Sequence, residues 1–354
     1  MIPRLRRWLS PFELFTYATT LAIVVFLRAS NLRMGWKTLE YTFAPMIGVL
    51  YRPLLIGIVL HLASSLVARR SPLGWLRAVS TPQSILLWLR VWFAAMAMTY
   101  GYSWLKVCVP LLRTTVLDPT LWKLDRLLHF GLSPSIFAAE LVEGTPVARW
   151  LDVWYSGWVT SVMVALAYFF LSAELAKRRN FALACALLWL TGAWIYFALP
   201  SLGPCFTVPE VFARIRLEMP SAFNAQQALW QNYGLMVAGR DGSLRQFNPY
   251  FGVAAMPSLH VGAHWLFALW SRRHARRLVP LFAAATLLTF LGSLASGWHY
   301  ALDGYAGMLL AWAAVRLADR FEPVASSAPA RGGEDGSGEQ AGDQRDGNHQ
   351  HAEG

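Results

Sequence analysis

Charge is scarce in this sequence of 354 residues: Asp, Glu, Lys and Arg together make up 14%, against about 25% in a soluble globular domain. Cysteine is scarcer still, with three in all (Cys108, Cys185 and Cys205). They form no disulfide framework and no close-spaced metal set. A Cys108–Cys205 bridge is the one pairing raised, and it requires both to face an oxidising compartment. Hydrophobic residues make up 56%, which excludes disorder for most of the chain, because disordered segments are poor in them. The same balance excludes a soluble globule and points to a polytopic membrane protein.

Long apolar runs are what the sequence has instead. Stretches near the span length of about 20 residues fall at 12–29, 50–68, 83–105, 150–173, 181–200, 257–270, 278–296 and 302–318. An isolated span must satisfy its own backbone, so all eight should be helices. The expected fold is an all-α integral membrane protein of about eight transmembrane helices. The N-terminus, MIPRLRRWLSPFELF, starts basic like a signal peptide. Glu13 interrupts the apolar part and no small-residue cleavage site follows, so a retained first helix is expected. The tail after Glu322, residues 323–354, has no apolar periodicity and is expected to be disordered.

The net charge of +11 would suggest nucleic acid in a soluble protein. Here the basic residues flank spans: Arg4, Arg6 and Arg7; Arg69, Arg70 and Arg77; Lys177, Arg178 and Arg179; Arg272, Arg273, Arg276 and Arg277; Arg316 and Arg320. With eight spans, all these runs share one side. The positive-inside rule makes that side cytoplasmic and places both termini there. Arg28, Arg33 and Lys37 fall on the other side. No nucleic-acid partner is expected. Arg90 lies within the third span, either as a functional charge or snorkelling to the inner interface, with snorkelling the favoured reading. Two long loops face outward. Residues 106–149 contain LDPTLWKLDRLLHFGLSPS, apolar at helical spacing but too short and charged to span, so an interfacial or re-entrant helix is expected. Residues 201–256 are rich in Pro, Gly and Asn.

Two segments carry chemistry, and both begin at the outer end of a span. One reads AAMPSLHVGAHW, the other SGWHYALDGYAG. In the first, Pro257 suits the first position of a helix. The N–H groups of that turn and the helix dipole favour an anion. Ser258 adds a hydroxyl, and His260 stands where it can protonate a leaving oxygen. The plain alternative is a Pro-initiated helix with a packed histidine. In the second, His299 and Asp303 are four apart and share a face if the helix has begun. The carboxylate can fix the imidazole tautomer and stabilise its charge, and such an imidazole is a nucleophile for phosphorus. The plain alternative is a structural His–Asp pair. His264 follows His260 by four, a spacing that suits zinc. The Glu of a zincin helix is missing and no carboxylate or cysteine set stands nearby, so no metal is expected and His264 reads as packed or pore-lining.

Together the two segments resemble the type 2 phosphatidic acid phosphatase superfamily, whose members carry Pro-Ser-x-His and a later His-x-x-x-Asp. The resemblance implies a six-helix catalytic core, residues 83–322, in which the motifs meet at one membrane face, preceded by two N-terminal helices in residues 1–82. It implies that His299 attacks phosphorus and forms a phosphohistidine, that Asp303 orients it and that His260 protonates the leaving group, with no metal or other cofactor. Two family features are absent. GSLASGWHY has Ser293 where an Arg would stand, and a first motif of Lys followed later by Arg-Pro is not evident. FALPSLGPCF, LDPTLWKLDRLLHFGLSPS, Leu259 and the His299–Tyr300 pair are similar to the aureobasidin-resistance branch, which includes inositol phosphorylceramide synthases, over residues 100–318.

That branch implies transfer of a phospho-head group, inositol phosphate-like, from a phospholipid donor to a lipid hydroxyl. The near alternative is a phosphatase acting on a lipid phosphate or polyprenyl pyrophosphate, with water as acceptor. The remote one is a non-catalytic transporter, for which no internal symmetry is visible. A phosphoryl transition state needs cations around its oxygens. Arg245, in LRQFNPYFG, is the first replacement candidate and Arg240 the second, with Lys123 and Arg126 weaker. Ser258, Arg245 and Arg240 are the expected substrate-binding residues. Gly203, Pro204, Gly297 and Gly304 are expected to shape turns near the site.

Overall fold

A computed structural model describes residues 9–32, 54–69, 71–239 and 247–324. All of them belong to one unit, Met1–Val324. Among the described residues the chain is helical and has no strand. The main helices are α1 (Pro11–Ala29), α2 (Leu54–Val67), α3 (Pro72–Val79), α4 (Pro82–Leu112), α5 (Asp118–Leu128), α6 (Pro134–Val142), α7 (Pro146–Ser156), α8 (Trp158–Phe170) and α9 (Leu175–Ala198), followed by α10 (Pro220–Ala238), α11 (Leu259–His274), α12 (Val279–Ala295) and α13 (Ala301–Phe321). Proline stands in the first turn of α1, α3 to α7, α10 and α12, where its missing N–H costs nothing.

Among the described residues four helices are long and apolar enough to cross a membrane: α1, α4, α9, and α12 with the 3₁₀ turn before it. The pair α7–α8, bent by 50° at Gly157, makes a fifth. The other three stretches read from the sequence also lie on helices. The described part of the second is the short α2, α11 is 16 residues long, and α13 carries Asp303, Arg316, Asp319 and Arg320.

Helix α9 runs through the middle and packs against α1, α4, α11 and α13. Phe181, Leu188, Leu266, Phe267, Trp270 and Val315 fill the space between them. In a membrane, helices associate through close van der Waals contact at small residues. The crossing of α11 and α13 is built that way. A Cβ on Gly307 would lie 2.1 Å from the Ser258 carbonyl oxygen, and one on Gly262 would lie 2.9 Å from that of Gly307. This contact fixes the first turn of α11 beside that of α13. Gly307→Ala is expected to cost about 1–3 kcal/mol, as overpacking does, read as a lower unfolding midpoint in detergent. Activity should fall with it, because the two helix starts are forced apart.

Several sequence readings are revised here. Arg90 does not simply snorkel: its Nε donates to Glu13 Oε1 at 2.7 Å and its Nη2 pairs with Glu13 Oε2, tying α4 to α1. Glu13 thus interrupts the first apolar run because it has a partner. Arg178, counted in a basic run, is buried and donates to the Ser84 carbonyl. Cys108, Cys185 and Cys205 are all free and buried, so no Cys108–Cys205 bridge exists. The Pro/Gly/Asn-rich stretch holds the 19-residue helix α10. Asp152 of α7 accepts from the Ser221 and Ala222 N–H groups at its start. Gln226 donates to the Ser296 carbonyl and Asn232 to those of Asn248 and Phe251. Its polar side chains are buried structural donors, which composition reads as loop.

Candidate active site

The two motifs meet at the paired starts of α11 and α13. The Ser258 N–H donates to the Asp303 carbonyl at 2.8 Å, joining them through the backbone. Ser258 is the N-cap of α11: its buried Oγ accepts the Val261 N–H at 3.4 Å. Pro257 therefore stands before the cap, not at the first helical position, after a cis peptide bond. His260 falls in the first turn.

Helix α13 begins at Ala301, so His299 lies in the extended lead-in and not on the helix. The expected shared helical face is replaced by a reach-back. Asp303, in the first turn, accepts the Tyr300 N–H at Oδ2 (2.9 Å), and the same oxygen lies 3.3 Å from His299 Nδ1. Its Oδ1 is buried and has no hydrogen-bond partner among the described residues. His299 Nε2 lies 3.4 Å from His260 Nδ1, between residues 39 apart in sequence. His299 is 4% exposed. His260, His299 and Asp303 are therefore one cluster.

Two residues of this cluster were missed in the sequence. Tyr155 of α7 places its hydroxyl 2.8 Å from His260 Nδ1. Trp158, just past the bend between α7 and α8, packs on the same imidazole, with ring centroids 4.1 Å apart. The second is Lys106 on α4, whose ammonium stands against two aromatic rings. Its Nζ lies 5.3 Å from the Tyr196 ring centroid and 5.8 Å from that of Tyr102. No carboxylate pairs with it among the described residues. A signal was present, since an ionisable residue inside an apolar stretch is a functional candidate by default. Arg113 also follows Lys106 by seven residues, a Lys-then-Arg pattern whose expected Pro is replaced by Thr114.

Arg240 and Arg245 lie outside the described residues. Lys123 and Arg126 are exposed on α5, and the Arg126 Nε donates to the Gly131 carbonyl. Neither belongs to the cluster described above. The role of α5 is different. Its Asp118 accepts from the Leu202 N–H (2.9 Å), the Gly203 N–H (2.8 Å) and the Tyr300 hydroxyl (3.0 Å). Asp125 accepts the Leu302 N–H at 3.0 Å. The helix thus clamps the His299 loop from outside. Burial raises the Asp125 carboxyl above its ordinary pKa, opposed by the Leu302 N–H and His129. Burial and then the Asp118 charge push the Tyr300 phenol up, so it stays a donor.

Gly203 has φ +102°, and a Cβ there would lie 2.4 Å from the Trp298 carbonyl oxygen. The Cys205 N–H donates to the Gly297 carbonyl, closing the other side of that loop. His264 is packed: its Nδ1–H donates to the His260 carbonyl at 3.1 Å, with Thr289 Oγ1 also 3.3 Å from Nδ1, and its Nε2 lies 2.9 Å from Ser161 Oγ. Among the described residues no group of three or more His, Cys, Asp or Glu side chains is arranged to hold a metal ion.

Chemically, the cluster offers a carboxylate-held imidazole, a second imidazole beside it, a lysine and a helix N-terminus. The family model described as the PAP2 superfamily matches residues 119–317. No curated protein and no solved structure matches the chain. The match spans more than half of the sequence and contains both motifs, and the chain belongs to the PAP2 superfamily. Membership supports a phosphatase or phosphotransferase acting on lipid phosphates in a membrane.

Proposed function

We propose that this member of the PAP2 superfamily moves a phospho-head group between membrane lipids through a phosphohistidine on His299. The observation that carries the reading is the meeting of His260, His299 and Asp303 within 3.4 Å contacts at two helix starts. Asp303 accepts from His299 Nδ1–H, which leaves the Nε2 lone pair for phosphorus. The P–O bond to the donor lipid breaks as the N–P bond forms, and His260 protonates the departing oxygen. An acceptor hydroxyl then gives its proton to His260 and takes the phospho group, restoring His299. At 3.4 Å the rings leave no room between them for a phosphoryl group, so substrate binding parts them or seats phosphorus beside the pair.

Lys106 and the N-terminus of α11 stabilise the charge on the phosphoryl oxygens. Ser258 supports that helix end as its cap. Arg240 and Arg245 remain proposed substrate-binding residues from the sequence before Pro257. Lys106→Ala should lower kcat/KM on the order of 10²-fold, as loss of one charge stabiliser does. A value within twofold of wild type would remove it from the site.

Tyr155 is proposed as a positioning residue. With its hydroxyl on His260 Nδ1 it fixes the ring, accepting from Nδ1–H when the imidazole is charged, so that the imidazolium gives its Nε2 proton to the leaving oxygen and returns to neutral. Tyr155→Phe should cost about tenfold in rate, the size of one buried hydrogen bond. It should also move the limb of the pH–rate profile that His260 sets. An unchanged profile would reduce Tyr155 to packing.

Transfer rather than hydrolysis is supported by the setting: His299 is nearly buried, and Tyr155, Trp158 and Trp298 surround the ring pair. Excluding water is what a transferase needs. Product analysis with and without diacylglycerol or ceramide as acceptor decides it. A new phospholipid that depends on acceptor is expected, and inorganic phosphate alone would make the protein a phosphatase.

We place residues 83–322 as the catalytic core, with 1–82 before it and 323–354 as a tail, in an eight-span arrangement. The site faces away from the cytoplasm and both termini face it. Supporting this, the far ends of α11, α13 and α9 gather their charges together: Arg273 pairs with Asp319 at 2.8 Å and Arg179 with Glu322 at 3.5 Å. These lie at the opposite ends of α11 and α13 from His260 and Asp303. A reporter fused near residue 275 should read cytoplasmic, and one near 235 external.

A further inference from the structure

A cavity of about 410 Å³ opens between α2, α8, α11 and α12. Leu60 of α2, Ala165 and Tyr168 of α8, His264 of α11, and Phe282 and Ala285 of α12 are among its walls. Its polar groups are already engaged with one another. Trp154 Nε1–H donates to Thr289 Oγ1, His264 Nδ1–H reaches the His260 carbonyl with Thr289 Oγ1 beside it, and Ser161, 2.9 Å from His264 Nε2, donates to the Trp158 carbonyl. The lining therefore has little to offer a head group and suits hydrocarbon. Its volume is in the range of ordinary ligand cavities.

Its position ties it to the site. His264 lies four residues after His260 on α11, one helical turn along. His264, which lines the cavity, is itself bonded to the His260 carbonyl at 3.1 Å. A lipid phosphate held at the ring pair would thus have its first chain carbons near the cavity. One wall comes from α2, which precedes the residues matched by the superfamily. That helix is firmly docked. His61 is stacked between Trp75 and Tyr168, with centroids 4.9 and 4.2 Å away, and its Nε2 donates to the Tyr168 carbonyl at 2.7 Å. Gly57 lies so close to α8 that a Cβ would be 3.1 Å from that of Ala167.

We infer that this cavity holds one hydrocarbon chain of the lipid whose phosphate reaches His299, and that α2 closes it and sets which chain fits. This rests on the lipid phosphotransfer reading above. Ala165→Phe and Ala285→Phe fill the cavity from facing walls, and Leu60→Ala enlarges it from α2. None of these residues touches the ring pair.

The test compares kcat/KM for dioctanoyl and dioleoyl phosphatidic acid and for farnesyl and undecaprenyl phosphates. The filled variants should lose about tenfold or more on the long chains, the size of pocket discrimination by a few methylenes. An aryl phosphate without a chain should be turned over as by wild type. Leu60→Ala should shift preference toward bulkier chains, and the acyl and isoprenoid series show which chain type is taken. Equal losses on all substrates, or an unchanged chain preference in all three variants, would overturn the inference. If wild type turns over none of these, nor a head-group-bearing phospholipid with diacylglycerol or ceramide as acceptor, the phosphotransfer reading fails by itself. The cavity is then judged by photolabelling in vesicles with a phosphatidic acid carrying a diazirine in its chain. Label at Tyr168 or Phe282, lost in Ala165→Phe, supports it, and label elsewhere only overturns it.

Discussion

His299→Ala is expected to abolish turnover, by a factor on the order of 10⁴–10⁶, as removal of a nucleophile does in other covalent enzymes. The argument is geometric. Nδ1 of His299 is turned to Asp303, and its other ring nitrogen, Nε2, faces the second imidazole at 3.4 Å. Alanine leaves the N–H network of Asp303 and Tyr300 in place, so the variant should fold. Its thermal unfolding in detergent is the control. Steady-state assay with a lipid phosphate reads the effect. A variant that folds and retains more than about a hundredth of the activity, the level left when only acid–base assistance is lost, would show that another group attacks phosphorus.

His260→Ala is the second large effect, and it depends on the substrate. Loss of a general acid costs about 10²–10⁴-fold when the leaving oxygen is a poor one. A lipid alkoxide is poor, so the full cost should appear with lipid substrates. With an aryl phosphate the leaving group departs without a proton, and most of the activity should return. A structural histidine would give equal losses on both. His260 has reason to be held for this task, since Tyr155 fixes its Nδ1 and Trp158 packs on its face.

The fold class was legible because apolar runs of span length leave few choices for the backbone. Helix α5 was legible too, from helical spacing in a segment too charged to cross. Helix α10 was not, because its buried contacts are made by Gln226 and Asn232, and composition counts such residues as loop. His260, His299 and Asp303 were legible because their spacing carries chemistry that a packing role does not require. Tyr155 and Lys106 were hidden for a different reason. Tyr155 looks like an ordinary residue of an apolar helix until α7 is set beside α11, whereas Lys106 stands out by its charge but has no site to serve until α4 is placed in the bundle. Arg90 misled in the same way, since its partner Glu13 is 77 residues away in sequence. Long-range pairing in a helical bundle leaves no local trace, whereas caps and spans do.

The central claim is a covalent bond from His299 to phosphorus, and trapping that bond tests it most directly. Purified protein mixed with a head-group-labelled lipid and quenched within one turnover should hold label that is stable to base and lost in acid. The label should map to the peptide containing His299, fall in Asp303→Asn and be absent from His299→Ala. Full turnover with no labelled enzyme at any time, or label persisting in His299→Ala, would contradict the account.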